Sequence, residues 1–321
     1  MLERNHSIDL MRLFCAYGVI VTHIPAGTLL AKDFQLFFHN FHVPFFYLTA
    51  LGLFSFKSNK NFKEVAKRML QRLVVPYLIW TIIYVALLIY SGPILLSNVD
   101  FISLIKIAFY GESAVHLYFV PQLIFMQLLL FSILNILKRN NIISNMLLFL
   151  LSSIFFGFGQ LYNCFGNTGF ISLIFYLGFG YLVRNMILNS NSNYKGLSVG
   201  FILFFTVIFF TYNKVDNFIV NLPWGGLSLI LICGGIKISK KIVSPLLLSM
   251  SYATFGIYLI HICFVEGIEI ISEKIYGSLK NDLFQNILYS IMVLFFSYWT
   301  CLIVNKLNVT RYLLLGNGSK K

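Results

Sequence analysis

Charge is what this chain has least of: only 11% of its 321 residues are Asp, Glu, Lys or Arg. Soluble domains carry about a quarter, so a water-bathed globular fold is excluded. With 58% hydrophobic residues, the chain reads as an integral membrane protein. Acidic residues are the scarcer sign, 11 against 24 Lys and Arg, which leaves a net charge of +13. Cysteine is also sparse. Cys15, Cys164, Cys233, Cys263 and Cys301 are odd in number, scattered, and show no CxxC or CxxH spacing. They imply neither a zinc site nor a disulfide framework and read as small packing residues. No Gly-x-Ser-x-Gly, P-loop or His-Glu-x-x-His occurs, so hydrolase, NTPase and zincin readings lack support. Paired inverted repeats, which mark many transporters, are not apparent, nor are a long linker or a low-complexity tract. The first apolar run is too long for a signal-peptide core and is expected to stay as a span.

What is abundant is apolar and aromatic. The 34 Phe and 18 Tyr suit lipid-facing surfaces and interfacial belts. Apolar stretches recur at 9–30, 36–56, 73–91, 116–137, 142–160, 168–187, 196–212, 219–236, 245–270 and 284–305. The expected fold is all-α: a polytopic bundle of about ten transmembrane helices in one domain, 1–321, without a soluble domain. The amphipathic segment 94–110 is expected to lie on the membrane surface. With the N-terminus inside, eighteen Lys and Arg fall on the cytoplasmic side and five on the other, while Arg12 lies within a span. That asymmetry predicts two cytoplasmic termini. The basicity is thus topology, and no nucleic-acid partner is expected; membrane lipids are.

Arg12 and His23 stand out inside the first apolar run. At about 100° and 1.5 Å per residue, their spacing of eleven places them within about 20° on one helix face, about 16 Å apart along the axis. Ionisable groups in a span point to function unless they find a polar partner. Arg holds phosphate, and His exchanges a proton near neutral pH. A phosphate-bearing donor gripped by Arg12 could present its reactive end near His23. Structural accounts stay open as well: Arg12 snorkelling beside Asp9, and His23 in a helix-packing hydrogen bond.

Further candidates are weaker. Arg68 and Arg72, one turn apart before Pro76, form either a topogenic anchor or a clamp for nucleotide phosphates. His39 and His42 flank Phe41, and an interfacial role comes before metal binding, since no third ligand is obvious. Glu112 and His116 are four apart, a spacing that lets an acid orient an imidazole. Tyr258 and His261 lie on one late helix as candidate substrate-binding residues. Glu266 follows His261 by five, about 140° around a helix, which is poor for a dyad.

Taken in order, several segments resemble the acyltransferase 3 family of bacterial integral membrane acyltransferases. They are Ile8-Asp9-Leu10-Met11-Arg12 with His23 after ten residues; His42-Val43-Pro44-Phe45-Phe46; Arg72-Leu73-Val74-Val75-Pro76-Tyr77; His116-Leu117-Tyr118-Phe119; Gly178-Phe179-Gly180-Tyr181; and Gly256-Ile257-Tyr258-Leu259-Ile260-His261. The resemblance implies a multi-pass protein of the bacterial cytoplasmic membrane. Its activity would move an acyl group, most often acetyl, from acyl-CoA (acetyl-CoA above all) to a hydroxyl of a surface or lipid-linked polysaccharide. On the matching positions His23 would be catalytic with Arg12 its partner, and Arg72 would meet the donor. Met69 stands where the family often has an arginine, which weakens the parallel assignment of Arg68. No metal is implied. The rival reading from composition is a polysaccharide exporter or flippase.

Overall fold

The computed structural model describes residues 6–57, 61–91, 107, 111, 113–136, 150, 176–180, 183–184, 194–213, 224–236, 238, 243–276 and 281–316. These residues are helical, with turns between and no strand among them. The expected spans at 142–160 and 168–187 fall largely outside the described residues, as do most of 94–110 and Glu112. Four helices are long and apolar enough to cross a membrane: Phe62–Tyr90, Lys195–Tyr212, Thr254–Lys274 and Leu283–Val304. Contacts group the chain into two compact units, Met1–Phe56 with Lys138–Trp299, and Lys57–Leu137 with Thr300–Lys321.

The first unit is organised around α1 (His6–His23). The expected span 9–30 is divided, because α1 stops at His23 and α2 (Leu29–His39) follows a short bend. Pro25 explains the stop: it has no N–H to give the carbonyl of Val21, four residues back. Thr28 then caps α2, its side chain accepting from the Ala31 N–H at 3.3 Å. After α3 (His42–Lys57) come α7 (Tyr194–Tyr212), α8 (Trp224–Gly235), α9 (Pro245–Tyr252), α10 (Thr254–Tyr276) and α11 (Leu283–Val304). The expected span 245–270 is likewise broken, at Ala253. Helices α2, α8, α9 and α10 all pack on α1. Gly18 lets Phe38 of α2 lie directly on the α1 backbone, where any Cβ would collide with its ring. At the other end the Ser7 hydroxyl bonds the carbonyl of Ile236 and accepts the N–H of Ile238 at 3.2 Å.

α11 shows how this unit divides its surface. Asn286, Ser290 and Ser297 are fully buried, whereas Phe284, Phe295, Phe296 and Trp299 are exposed. At about 100° per residue the three polar positions share one face. Polar groups inward and apolar groups outward is the arrangement lipid rewards, since hydrophobic burial does not drive helices together there. Ser290 hydrogen-bonds the Tyr17 hydroxyl of α1 at 2.9 Å, and Tyr298 donates to Ser249 of α9 at 2.7 Å.

The second unit contains α4 (Phe62–Met69), a π-helical turn (Leu70–Val74), α5 (Val75–Ser91), α6 (Phe119–Ile136) and α12 (Asn308–Leu315). The basic stretch before Arg72 is therefore helical from Phe62 onward. α4 buries Val65 and Met69 and turns Lys63, Lys67 and Arg68 outward. α12 docks on α5: the Trp80 indole donates to the Leu314 carbonyl at 3.0 Å. Gly316, at φ 63°, closes α12 against the backbone of Arg72, where a Cβ would come within 2.6 Å of the carbonyl oxygen.

Candidate active site

Every route to the centre of the first unit passes the end of α1. His23 is its last residue, half-buried. Across from it, His261 of α10 is fully buried, and the two rings lie 5.4 Å apart between centroids, tilted by 43°. Nδ1 of His261 sits 2.7 Å from the Tyr258 carbonyl oxygen. A carbonyl only accepts, so Nδ1 carries the proton, and in the neutral ring the basic lone pair is on Nε2. Tyr258 itself is buried with its ring 6.1 Å from that of His261. His42 is fixed the same way, its buried Nδ1 2.6 Å from the Phe38 carbonyl. His39 is 6.1 Å from His42 between ring centroids, and both are within electrostatic reach of His23. Four of the six histidines thus share one neighbourhood, although no group of three His, Cys, Asp or Glu suited to a metal occurs among the described residues.

The backbone that follows His23 is held by side-chain amides. The Val21 carbonyl, deprived of its α-helical donor by Pro25, accepts from Gln35 Nε2 at 3.0 Å. The same amide reaches the Ile24 carbonyl, which Asn286 Nδ2 also approaches at 3.5 Å. Asn281 Nδ2 donates to the Pro25 carbonyl at 2.9 Å, and its own backbone carbonyl accepts the Gly27 N–H at 2.9 Å. Helix ends leave carbonyls without intrahelical partners, and an apolar solvent cannot satisfy them. Three carboxamides do so here. A sequence reader had one cue, the proline two residues after the histidine, but nothing named the donors.

The remaining candidates divide between the units. Arg12 lies on α1, half-buried, on the same helix as His23 as its spacing requires. Asp9 is buried, with His6 Nδ1 3.7 Å from its carboxylate. Glu266 is exposed where His261 is buried, so the two do not form a dyad. Arg68 and Arg72 belong to the second unit and are both exposed, Arg72 inside the π-helical turn, a feature frequent at functional sites. His116 is buried there too, edge-on to Tyr84 at 5.4 Å. It lies in a run of turns ahead of α6, so its spacing from Glu112 is not that of two residues on one helix.

Apolar spanning-length helices around a buried histidine pair define a helical membrane protein with the means for proton transfer inside it. Over residues 5–306 the chain matches the model of the acyltransferase 3 family, an acyltransferase domain. It belongs to that family and is a membrane acyltransferase. No curated protein and no solved structure matches it.

Proposed function

We propose that the protein transfers an acetyl group from acetyl-CoA to a hydroxyl of a surface or lipid-linked polysaccharide, with His23 as the base. The observation that carries this reading is the His23–His261 pair, closed off from solvent and bound to the end of α1. Two protonated rings at 5.4 Å would repel by about 3 kcal/mol at an effective dielectric near 20. The pair therefore favours holding at most one proton, which keeps one ring basic. His23 takes the proton of the sugar hydroxyl as its oxygen attacks the thioester carbonyl. The C–S bond then breaks, and the proton passes from the imidazolium to the departing CoA sulfur. His261, with its tautomer set by Tyr258, orients His23 and shares the charge that forms on it.

Arg12 grips the donor from the cytoplasmic end of α1, and Arg72, with Arg68 beside it, receives the nucleotide phosphates. His116 and Tyr258 complete the acceptor side, with Glu112 preceding His116 in the chain. The membrane is the bacterial cytoplasmic membrane, both termini face the cytoplasm, and only the acyl group crosses. The deciding assay is acetyl transfer from radiolabelled acetyl-CoA by purified protein in detergent, compared with His23→Ala. Label in glycan only when His23 is intact supports the reading. Glycan movement in vesicles without CoA-dependent acylation would instead make the chain an exporter. Sidedness is tested with Ser58→Cys and Ser278→Cys in a cysteine-free background: Ser58 should label only from inside and Ser278 from outside.

A further inference from the structure

The amides that hold the turn after His23 have a second end. Because the Pro25 and Ile24 carbonyls can only accept, the NH2 groups of Asn281 and Asn286 must face them, which turns both Oδ1 atoms the other way. Asn281 is 1% exposed and Asn286 0%. Neither Oδ1 has a hydrogen-bond partner among the described residues. Buried acceptors without donors are costly and rare, and each asks for an explanation. Beside them lies a narrow cleft lined by Ile24 and Pro25, Asn281, Glu269, Tyr289 and aliphatic side chains of α10 and α11. It opens one residue beyond His23.

We propose that this cleft seats the hydroxyl-bearing acceptor and that Asn281 Oδ1 accepts a hydrogen bond from one of its hydroxyls. The inference rests on the transferase reading above and adds where the acceptor binds. The chemistry of the lining selects the class. An amide oxygen and the Glu269 carboxylate are both acceptors, so the occupant must be rich in donors. That carboxylate also disfavours the anionic phosphates of a CoA donor. The tyrosine ring and the aliphatic walls suit the C–H face of a sugar ring. A neutral ring carrying several hydroxyls meets all three requirements. A hydroxyl held at Asn281 lies next to the turn that carries His23, the proposed base. Asn286 sits one helical turn further along α11 and supplies a second acceptor oxygen for a neighbouring hydroxyl or its water.

The test is the partition of the acetyl group. Membranes are prepared from cells carrying a variant as sole copy, so the native glycan is present, and radiolabelled acetyl-CoA is supplied. Acetyl transferred to glycan and acetate released to water are measured together. Asn281→Ala should shift the transfer-to-hydrolysis ratio at least tenfold toward hydrolysis, because the acceptor is displaced while the donor and His23 remain. A variant that merely disturbs the fold lowers both products and leaves the ratio where it was; that unchanged ratio overturns the proposal. Tyr289→Trp narrows the same cleft from a half-exposed position, leaves the buried amides alone, and should move the ratio the same way. It decides the matter if Asn281→Ala fails to accumulate. The transferase reading fails separately, if His23→Ala turns over acetyl-CoA as fast as the unmodified chain.

Discussion

The two compact units treat their polar residues in opposite ways. In the first, His42, His261, Asn281 and Asn286 are all sunk, none more than 4% exposed. In the second, Lys63, Lys67, Arg68 and Arg72 stand in the open, and His116 is the exception. The difference follows from what each set can do. Hydrogen bonds and proton transfers gain strength where water is excluded. A cation that has only to catch a dissolved anion works from the surface and is screened by salt. One unit is built for chemistry and the other for capture.

The sharpest way to break that contrast is His23→Ala. It should cost about 10²- to 10⁴-fold in acetyl transfer, the usual worth of a positioned base, with expression and insertion near normal. Retained transfer in a well-folded variant would remove chemistry from the first unit altogether. His261→Gln should lower kcat by about tenfold or more with little change in donor KM, since it works through His23; an equal rise in donor KM would place it at the donor instead. Arg72→Ala should raise the donor KM by about tenfold, the equivalent of about 1.4 kcal/mol. That penalty should shrink near 1 M salt, where the Debye length is about 3 Å. A salt-independent defect would mean that Arg72 acts from a buried position when donor is bound. Arg68→Ala is expected to change donor KM by only about twofold, as an exposed charge on a mobile side chain does. A larger effect would make the two arginines a true pair across the π-helical turn.

Some elements were plain in the sequence because one signal settled them. α7 and α11 are long apolar runs with polar ends, and both lie within a few residues of their expected bounds. The break after His23 was not plain, because Leu29 and Leu30 carry the apolar run straight through it. Hydropathy counts composition and does not register that Pro25 withholds a hydrogen bond from Val21. The π-helical turn was invisible for a similar reason: Leu70–Val74 has no residue that an α-helix would refuse. In the site, Arg12 and His23 were legible from spacing on one helix. Their partners were not. His261 meets His23 only through the packing of α10 on α1, and Asn281 and Asn286 reach it from another helix still. A contact between distant segments leaves no period in the chain. His39 and His42 were read as interfacial residues, whereas their packing puts them within electrostatic reach of His23.

The clamp on the last turn of α1 also sets an order of assembly. His23 is made early, and two of the three amides that secure its turn come from residues 281 and 286, close to the end of synthesis. At about 5–20 residues per second, an unfinished chain holds α1 in the membrane for on the order of ten to fifty seconds before those amides emerge. Throughout that interval the carbonyls of Ile24 and Pro25 wait for their donors. The histidine is thus present in every nascent chain, but its setting exists only in a nearly finished one. A truncated product would carry the catalytic residue and lack the fixed geometry to spend acyl donor with it.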